Sequence, residues 1–216
     1  MIKDIEKRSG SLGVEVRADS DKRTLTGYAV VWNSDTTIGD YFVERIAKGA
    51  FTKALDGDVL ALVNHDWGRV VGRTKSGTLR LVEDERGLKV EIDVPNTTDG
   101  NDLWELVDRG DIAGMSFAFR STKETWDETG DLPTRTVLEA NLYEVTATPI
   151  PAYEDTTLGK RSLDAWRAES EAATIEEQRK AENKAAAARR VAERRAASEQ
   201  KFRGIRSPAG DGQDAS

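Results

Sequence analysis

The chain contains no cysteine and a single histidine, His65, among its 216 residues. The absence of cysteine excludes disulfides, a thiol nucleophile and thiolate zinc sites. One histidine leaves no ordinary zinc site either. Carboxylate sites for magnesium or calcium stay open, but no ordered calcium loop is present. We identify no metal site in the sequence and expect no cofactor.

Long apolar stretches are also missing. No run of about 20 apolar residues exists, so we expect no membrane span. The opening segment, Met1–Arg8, lacks the apolar centre of a signal peptide. The sequence therefore predicts a protein that acts in the cytoplasm where it is made.

Charge is distributed unevenly along the chain, whose net charge is −7. Residues 1–159 carry 29 acidic and 19 basic side chains, a net charge of −10. Residues 160–206 carry 13 basic and 8 acidic side chains, a net charge of +5. An acidic body with a basic extension indicates two parts with different roles.

Short strand-like segments dominate the acidic body from Thr24 to about Tyr153. They are rich in β-branched residues or alternate with period two, and Asp84–Gly87 is typical of a hairpin turn. The segments are 24–31, 59–63, 78–82, 88–94, 112–119 and 136–148. Two helices are predicted between them, at Gly49–Leu55 and Asp99–Asp108. Strands mostly in hairpin order predict a mainly β fold with helices, a largely antiparallel barrel or sandwich.

The basic extension has a different composition. From Ser162 to about Lys201 it is rich in alanine, glutamate and arginine, which predicts a long helix. Its large apolar residues are too sparse for a coiled-coil seam, so we expect a solvated helix that docks on a partner. The predicted division is an arm at 1–13, a β-rich domain at 14–160, a basic helix at 161–206 and a disordered tail at 207–216.

Ser116 and His65 are the candidate catalytic residues. Ser116 lies between Gly114 and an apolar alternating run, and His65 ends another apolar run. A serine hydroxyl needs a base to remove its proton, and the base must be held in orientation by a third group. With one histidine in the chain, that base can only be His65, and the pair indicates a serine protease.

The third group must then be a carboxylate or be missing. Glu144 is the best candidate because it lies in an otherwise apolar strand, where an acid is costly unless it is paired. Asp66 is adjacent to His65, but neighbouring strand residues point to opposite faces. Asp93 and Glu139 are weaker alternatives.

Each of these residues also has a structural interpretation. A histidine at a strand end is often a surface residue, and serines commonly end strands with local hydrogen bonds. A glutamate such as Glu144 is usually on the solvent face of an alternating strand. Residue spacing alone does not decide between these interpretations.

A resemblance to a known family favours catalysis. The sequence blocks resemble, in the same order, those of the tailed-phage prohead maturation proteases over roughly residues 14–160. The blocks are Gly27–Trp32, Glu44–Leu55, Asn64–Asp66, Val71–Arg73, Gly114–Phe119, Leu142–Thr146 and Thr148–Tyr153.

The resemblance implies a fold like that of the herpesvirus assemblin proteases, a closed antiparallel β-barrel with helices around it. The herpesvirus enzymes use two histidines with the serine, whereas this chain has only His65, which favours Glu144 as the third member.

The implied function is that of a serine endopeptidase that cleaves capsid and scaffold proteins during procapsid maturation. Its expected partners are the major capsid protein and a scaffold or scaffold-like segment, and a homo-oligomer is possible. The expected location is the host cytoplasm, inside the assembling procapsid, and self-cleavage within residues 162–202 is a further expectation.

Two other functions stay open on the sequence. The protease-like domain could be inactive in a scaffold or procapsid assembly protein that acts through its C-terminal helix. A nucleic-acid-binding module is disfavoured by the acidic body. Only the protease hypothesis requires Ser116.

Overall fold

The structure is a computed structural model that describes residues 5–9, 17–19, 23–149 and 156–205. The chain divides into two compact units, Met1–Ser162 and Leu163–Ser216. The predicted disordered tail at 207–216 lies outside the described residues. The division at residues 13/14 and 160/161 stays a prediction.

The described part of the first unit contains eleven strands, one complete α-helix and the start of a long second helix, most of which belongs to the second unit. The strands are β1 (Glu6–Ser9), β2 (Arg17–Asp19), β3 (Thr24–Val31), β4 (Thr36–Ile38), β5 (Phe42–Ile46), β6 (Leu60–Val63), β7 (Asp66–Arg73), β8 (Leu79–Glu83), β9 (Gly87–Asp93), β10 (Gly114–Asp127) and β11 (Thr134–Thr148). The α-helices are α1 (Thr98–Asp108) and α2 (Thr156–Ile205), and short 3-10 turns occur at Thr52–Ala54 and Thr74–Ser76.

The larger sheet has seven strands and is built around β11. Its order is β1-β10-β11-β5-β4, and β6 also pairs with β11 and carries β7 on its other side. β10 is antiparallel to β11 over most of its length. β5 and β6 both run parallel to β11, β5 along Thr134–Val137 and β6 along Glu144–Ala147.

The smaller sheet is antiparallel, with the order β2-β3-β9-β8. The predicted hairpin turn joins β8 to β9, where Asp84 accepts hydrogen bonds from the backbone N–H groups of Arg86 and Gly87. A Cβ on Gly87 would lie 1.9 Å from the carbonyl oxygen of Val30, so only glycine fits where β9 meets β3.

The prediction of a closed antiparallel barrel is wrong. Both sheets are open, the larger one is mixed, and within the described ranges no ladder returns to close either one. The reason lies at β11, whose second edge is shared by two short parallel strands. Each of these strands pairs outward with its own neighbour, β4 or β7, and the hydrogen bonding ends there instead of closing on β1.

The predicted helix at Gly49–Leu55 is also wrong. Only Thr52–Ala54 forms a 3-10 turn there, because Gly49 has a φ of +86° and Ala50 and Phe51 are buried in the core. Seven residues are too few for a helix to form without strong support from packing.

Residues of both sheets form one hydrophobic core. Its aromatic part is a cluster in which the ring of Phe51 meets Phe117 and Phe119 edge to face. Such pairs add roughly 0.5–1.5 kcal/mol beyond the burial of their area. Helix α1 adds Leu103 and Val107 to this core, and its N-cap Thr97 accepts a hydrogen bond from the N–H of Gly100.

Helix α2 has 50 residues, and its described side chains are mostly exposed. Glu176 lies within ion-pair distance of Arg179 and Lys180, one turn further along the helix. In the part of the chain that the structure describes, neither α1 nor α2 is long and apolar enough to cross a membrane.

A buried cluster of ions joins β1, β5, β10 and β11. Arg135 donates hydrogen bonds to Glu6, Glu44 and Glu124, and Arg8 donates to Glu6 and Glu44. Burial opposes the charge of Arg135, but Glu44, Glu6 and Glu124 together raise its pKa. Burial alone would raise the pKa of Glu124, but the charge and hydrogen bonds of Arg135 lower it. Arg135 and Glu124 therefore each favour the ionised form of the other.

Removing Arg135 tests this cluster. We expect Arg135→Met to lower the free energy of unfolding by roughly 3–5 kcal/mol, because it leaves buried carboxylates without their common partner. The matched control is Arg80→Met, whose ion pairs with Glu91 and Asp93 are exposed and should be worth no more than about 1 kcal/mol. Urea unfolding at neutral pH measures both. Equal losses in the two variants would contradict the argument.

Candidate active site

His65 lies in the two-residue turn between β6 and β7. Val63 and Asp66 are paired across this turn, and both central residues have positive φ, +51° for Asn64 and +60° for His65. Two successive positive φ values are typical of the tight hairpin turn that matches strand twist. Glycine usually occupies the second of these positions, so the backbone of His65 is strained there. Its side chain lies at the end of the hairpin.

The backbone of this turn is tied to β11. The N–H of His65 donates to Thr146 Oγ1 at 3.1 Å, and the same hydroxyl donates to the carbonyl of Leu62 at 2.9 Å. The N–H of Asn64 donates to the carbonyl of Ala147 at 3.4 Å. Thr146 therefore fixes the position of His65 relative to β11.

Ser116 and Glu144 reach the same face of the sheet from β10 and β11. Ser116 is directly opposite Thr146 in the antiparallel ladder, and opposite residues share a face. Glu144 precedes Thr146 by two residues, so strand alternation brings its side chain to that face as well.

The structure brings the three predicted site residues into one hydrogen-bonded series. Ser116 Oγ lies 2.8 Å from His65 Nε2, and His65 Nδ1 lies 2.6 Å from Glu144 Oε1. The side chain of His65 is 8% exposed and that of Glu144 is 1% exposed. The second oxygen of Glu144, Oε2, has no hydrogen-bond partner among the described residues. The imidazole is thus the principal contact of this buried carboxylate.

Ser116 makes one more polar contact. Its hydroxyl donates to the carbonyl oxygen of Arg8, on β1, at 2.6 Å. The hydroxyl has a single hydrogen, which can be given either to this carbonyl or to Nε2 of a neutral imidazole, but not to both. Ser116 itself has no solvent-exposed surface.

The three other candidate carboxylates lie elsewhere. Asp66 accepts from the N–H of Gly68 on the exposed side of the turn. Asp93 is paired with Arg80, and Glu139 with Lys53, and in each case the cation lowers the pKa of the carboxyl group. The structure does not bring any of them to His65. Within the described ranges, no group of three or more His, Asp or Glu side chains is placed to hold a metal ion.

Sequence reasoning did not single out Thr146 or Arg8. Thr146 had a usable signal, because it lies two residues from Glu144 and therefore on the same face of the strand. Arg8 had none, since its carbonyl reaches Ser116 only through the pairing of β1 with β10.

A hydroxyl, an imidazole and a buried carboxylate in hydrogen-bonded series can activate the hydroxyl as a nucleophile. This is the arrangement of the serine hydrolases, which recurs on unrelated folds.

The comparison with protein families agrees with that class. The family model described as Caudovirus prohead serine protease matches residues 12–169, and the chain belongs to this family. It is accordingly a serine protease of phage prohead maturation. No curated protein and no solved structure gave a significant match.

The hydroxyl of Thr146 offers a test of how the turn is held. We expect Thr146→Val to lower the free energy of unfolding by roughly 1–3 kcal/mol, because the N–H of His65 loses its acceptor. The control is Thr125→Val, an exposed position on β10 where the same change should stay within about 0.5 kcal/mol. Denaturant unfolding compares them, and a loss at Thr146 no larger than at Thr125 would show that the bond does not hold the turn.

Proposed function

We propose that the chain is an endopeptidase that uses Ser116 as nucleophile, His65 as general base and acid, and Glu144 as the group that orients the imidazole. The observation that supports this proposal is the hydrogen-bonded series itself, with 2.8 Å between Ser116 and His65 and 2.6 Å between His65 and Glu144. Its substrates are the major capsid protein and a scaffold protein or scaffold-like segment, and no cofactor takes part.

In the first half-reaction, Ser116 Oγ attacks the carbonyl carbon of the scissile peptide bond while His65 Nε2 takes the hydroxyl proton. The imidazolium then gives that proton to the leaving amine as the C–N bond breaks, and an acyl-enzyme ester remains. In the second half-reaction, water attacks the ester with His65 again as base, and the product acid leaves with Ser116 restored.

Glu144 acts on the imidazole from its far side. A carboxylate that accepts from Nδ1–H fixes the tautomer in which Nε2 faces Ser116, and its charge stabilises the imidazolium that forms during the reaction. Burial strengthens this interaction, because few other dipoles screen the carboxylate. With one histidine in the chain, no second imidazole can take this position.

The C-terminal helix is proposed to direct the enzyme to the procapsid. In this proposal α2, with the basic residues of the extension, binds acidic helices of the scaffold and so encloses the enzyme inside the assembling procapsid in the host cytoplasm. Confinement protects the unfinished shell from premature cleavage. Self-cleavage within residues 162–202 would release the enzyme from this attachment.

Substitution of each member of the series tests the chemistry. We expect Ser116→Ala, His65→Ala and Glu144→Gln each to reduce cleavage of the cognate capsid protein by on the order of 10⁴-fold or more, because removal of one member disables the whole unit. Glu139→Gln is the matched control, since its carboxylate is paired with Lys53 on the surface. Intact-mass spectrometry over time gives the rates.

Circular dichroism verifies that each variant is folded. A folded Ser116→Ala or His65→Ala variant with near-normal turnover would remove that residue from the mechanism. Loss of activity in Glu139→Gln together with its retention in Glu144→Gln would move the orienting role to Glu139.

Truncation tests the role of α2. Deleting residues 166–216 should reduce incorporation of the enzyme into procapsids at least tenfold, because the segment proposed to bind scaffold is gone, while cleavage of free capsid protein continues. Gel quantification of purified procapsids measures incorporation. Unchanged incorporation would show that the protease domain, and not α2, directs the enzyme into procapsids.

A further inference from the structure

Strand β1 covers the candidate nucleophile. It pairs antiparallel with β10, with Ser9 opposite Ser116 and Arg8 opposite Phe117. Ser116 is fully buried beneath this arrangement. The family match begins at residue 12, so β1 lies outside the part of the chain shared with the family. An added edge strand therefore occupies the side of β10 from which an extended peptide could pair with it.

The backbone of β1 places a peptide carbonyl group against Ser116. The carbonyl group of Arg8 lies with its oxygen 2.6 Å from Ser116 Oγ, and Ser116 Oγ is also 2.8 Å from His65 Nε2. The peptide bond that contains this carbonyl joins Arg8 to Ser9. Ser116 Oγ thus contacts both a peptide carbonyl group and the candidate base. Attack on the carbonyl carbon requires the hydroxyl to turn its hydrogen from the Arg8 oxygen to Nε2.

The side chain of Arg8 enters a separate, charged pocket. Because Arg8 is opposite Phe117, alternation places its side chain on the other face from Ser116. There Nε donates to Glu44 Oε1 at 2.7 Å, and Nη2 donates to Glu44 Oε2 at 3.3 Å. Arg8 is 3% exposed and Glu44 is 2% exposed. A nearly dry pocket with a carboxylate selects a cation strongly.

Departure of β1 would remove Arg8 and Glu6 from this pocket together. Glu44 would keep its bond to Arg135 through Oε2, but Oε1 would lose its partner. An unpaired buried carboxylate oxygen is costly. A lysine or arginine side chain from another peptide would offset that cost better than a neutral donor, because charge-assisted hydrogen bonds are the stronger ones.

We propose that β1 is an internal substrate: Arg8–Ser9 is a bond that the enzyme cleaves, and Glu44 selects a basic residue on the carbonyl side of the bonds it cuts. This inference rests on the proposed function of Ser116 and His65. Ser116 Oγ bonds to the carbonyl carbon of Arg8 as the Arg8–Ser9 C–N bond breaks, and His65 passes the hydroxyl proton to the new amine of Ser9. Water then hydrolyses the ester, releasing residues 1–8 and restoring the serine.

Cleavage at this bond would also open the site. While β1 is in place, Ser116 is covered and Glu44 is occupied, so no second peptide can take the same position on β10. Release of residues 1–8 removes both obstacles together. The internal strand therefore delays attack on other proteins until it has itself been cut.

The test follows the intact mass of the full-length purified chain over time. We expect wild type to convert to a chain that begins at Ser9, and Ser116→Ala to stay whole. Arg8→Lys keeps the cation and should convert within about tenfold of the wild-type rate. Arg8→Gln should be slower by on the order of 100-fold, because Oε1 of Glu44 loses its charged donor. In a Glu44→Gln background, the difference between chains with and without Arg8→Gln should fall below about tenfold.

A parallel incubation with the cognate capsid protein separates this inference from the proposed function, and thermal unfolding verifies that each variant is folded. Capsid fragments that depend on Ser116 while residues 1–8 stay attached would overturn the internal-substrate inference and leave the proposed function intact. Equal conversion of folded Arg8→Gln and wild type would overturn the role of Glu44. If wild type cuts neither itself nor the capsid protein, the proposed function fails first.

Discussion

Backbone hydrogen bonds between β10 and β11 place Ser116 directly opposite Thr146, and the candidate active site depends on this register. Glu144 follows from it, because alternation brings every second residue of β11 to the same face. β6 pairs parallel with this stretch of β11, so His65, in the turn after β6, lies beside Glu144 and Ser116. Three side chains that are far apart in the chain are thus held by backbone bonds, not by flexible loops, which keeps the hydroxyl, imidazole and carboxylate in line.

The same two strands hold a second polar group in the core, the ion cluster around Arg135. Buried ion pairs are weak evidence of stability, because desolvation opposes their attraction. The cluster also ties β1 to its place beside β10, because Arg8 donates to Glu44 and Glu6 accepts from Arg135. The candidate catalytic groups and the ion cluster therefore occupy opposite faces near one edge of the sheet. β1 contacts the first through the Arg8 carbonyl and the second through the Arg8 side chain. This arrangement ties the covering of Ser116 to the filling of the charged pocket.

Much of the local structure was predictable from the sequence. Period-two alternation gave β8 and β9 with their hairpin turn, and the composition of the C-terminal extension gave the long helix, because these patterns depend on near neighbours. The uniqueness of His65 left one possible base, and an acid within an apolar strand indicated Glu144. The prediction of a helix at Gly49–Leu55 was wrong because Ala50 and Phe51 are buried in the core in a non-helical conformation. The free energy of burying them outweighs the weak helix preference of a seven-residue segment.

Sequence alone thus determined the kinds of element, the family to which the chain is similar, and the few side chains able to carry acyl-transfer chemistry. Tertiary structure decided how the elements connect: two strands parallel to β11, sheets that stay open, and one carboxylate beside His65 out of the four considered. It also decided that β1 lies over Ser116 with Arg8 against Glu44. The physical reason is that strand pairing is made by backbone groups common to every residue, so which strands meet depends on the packing of the whole domain and leaves no local pattern in the sequence.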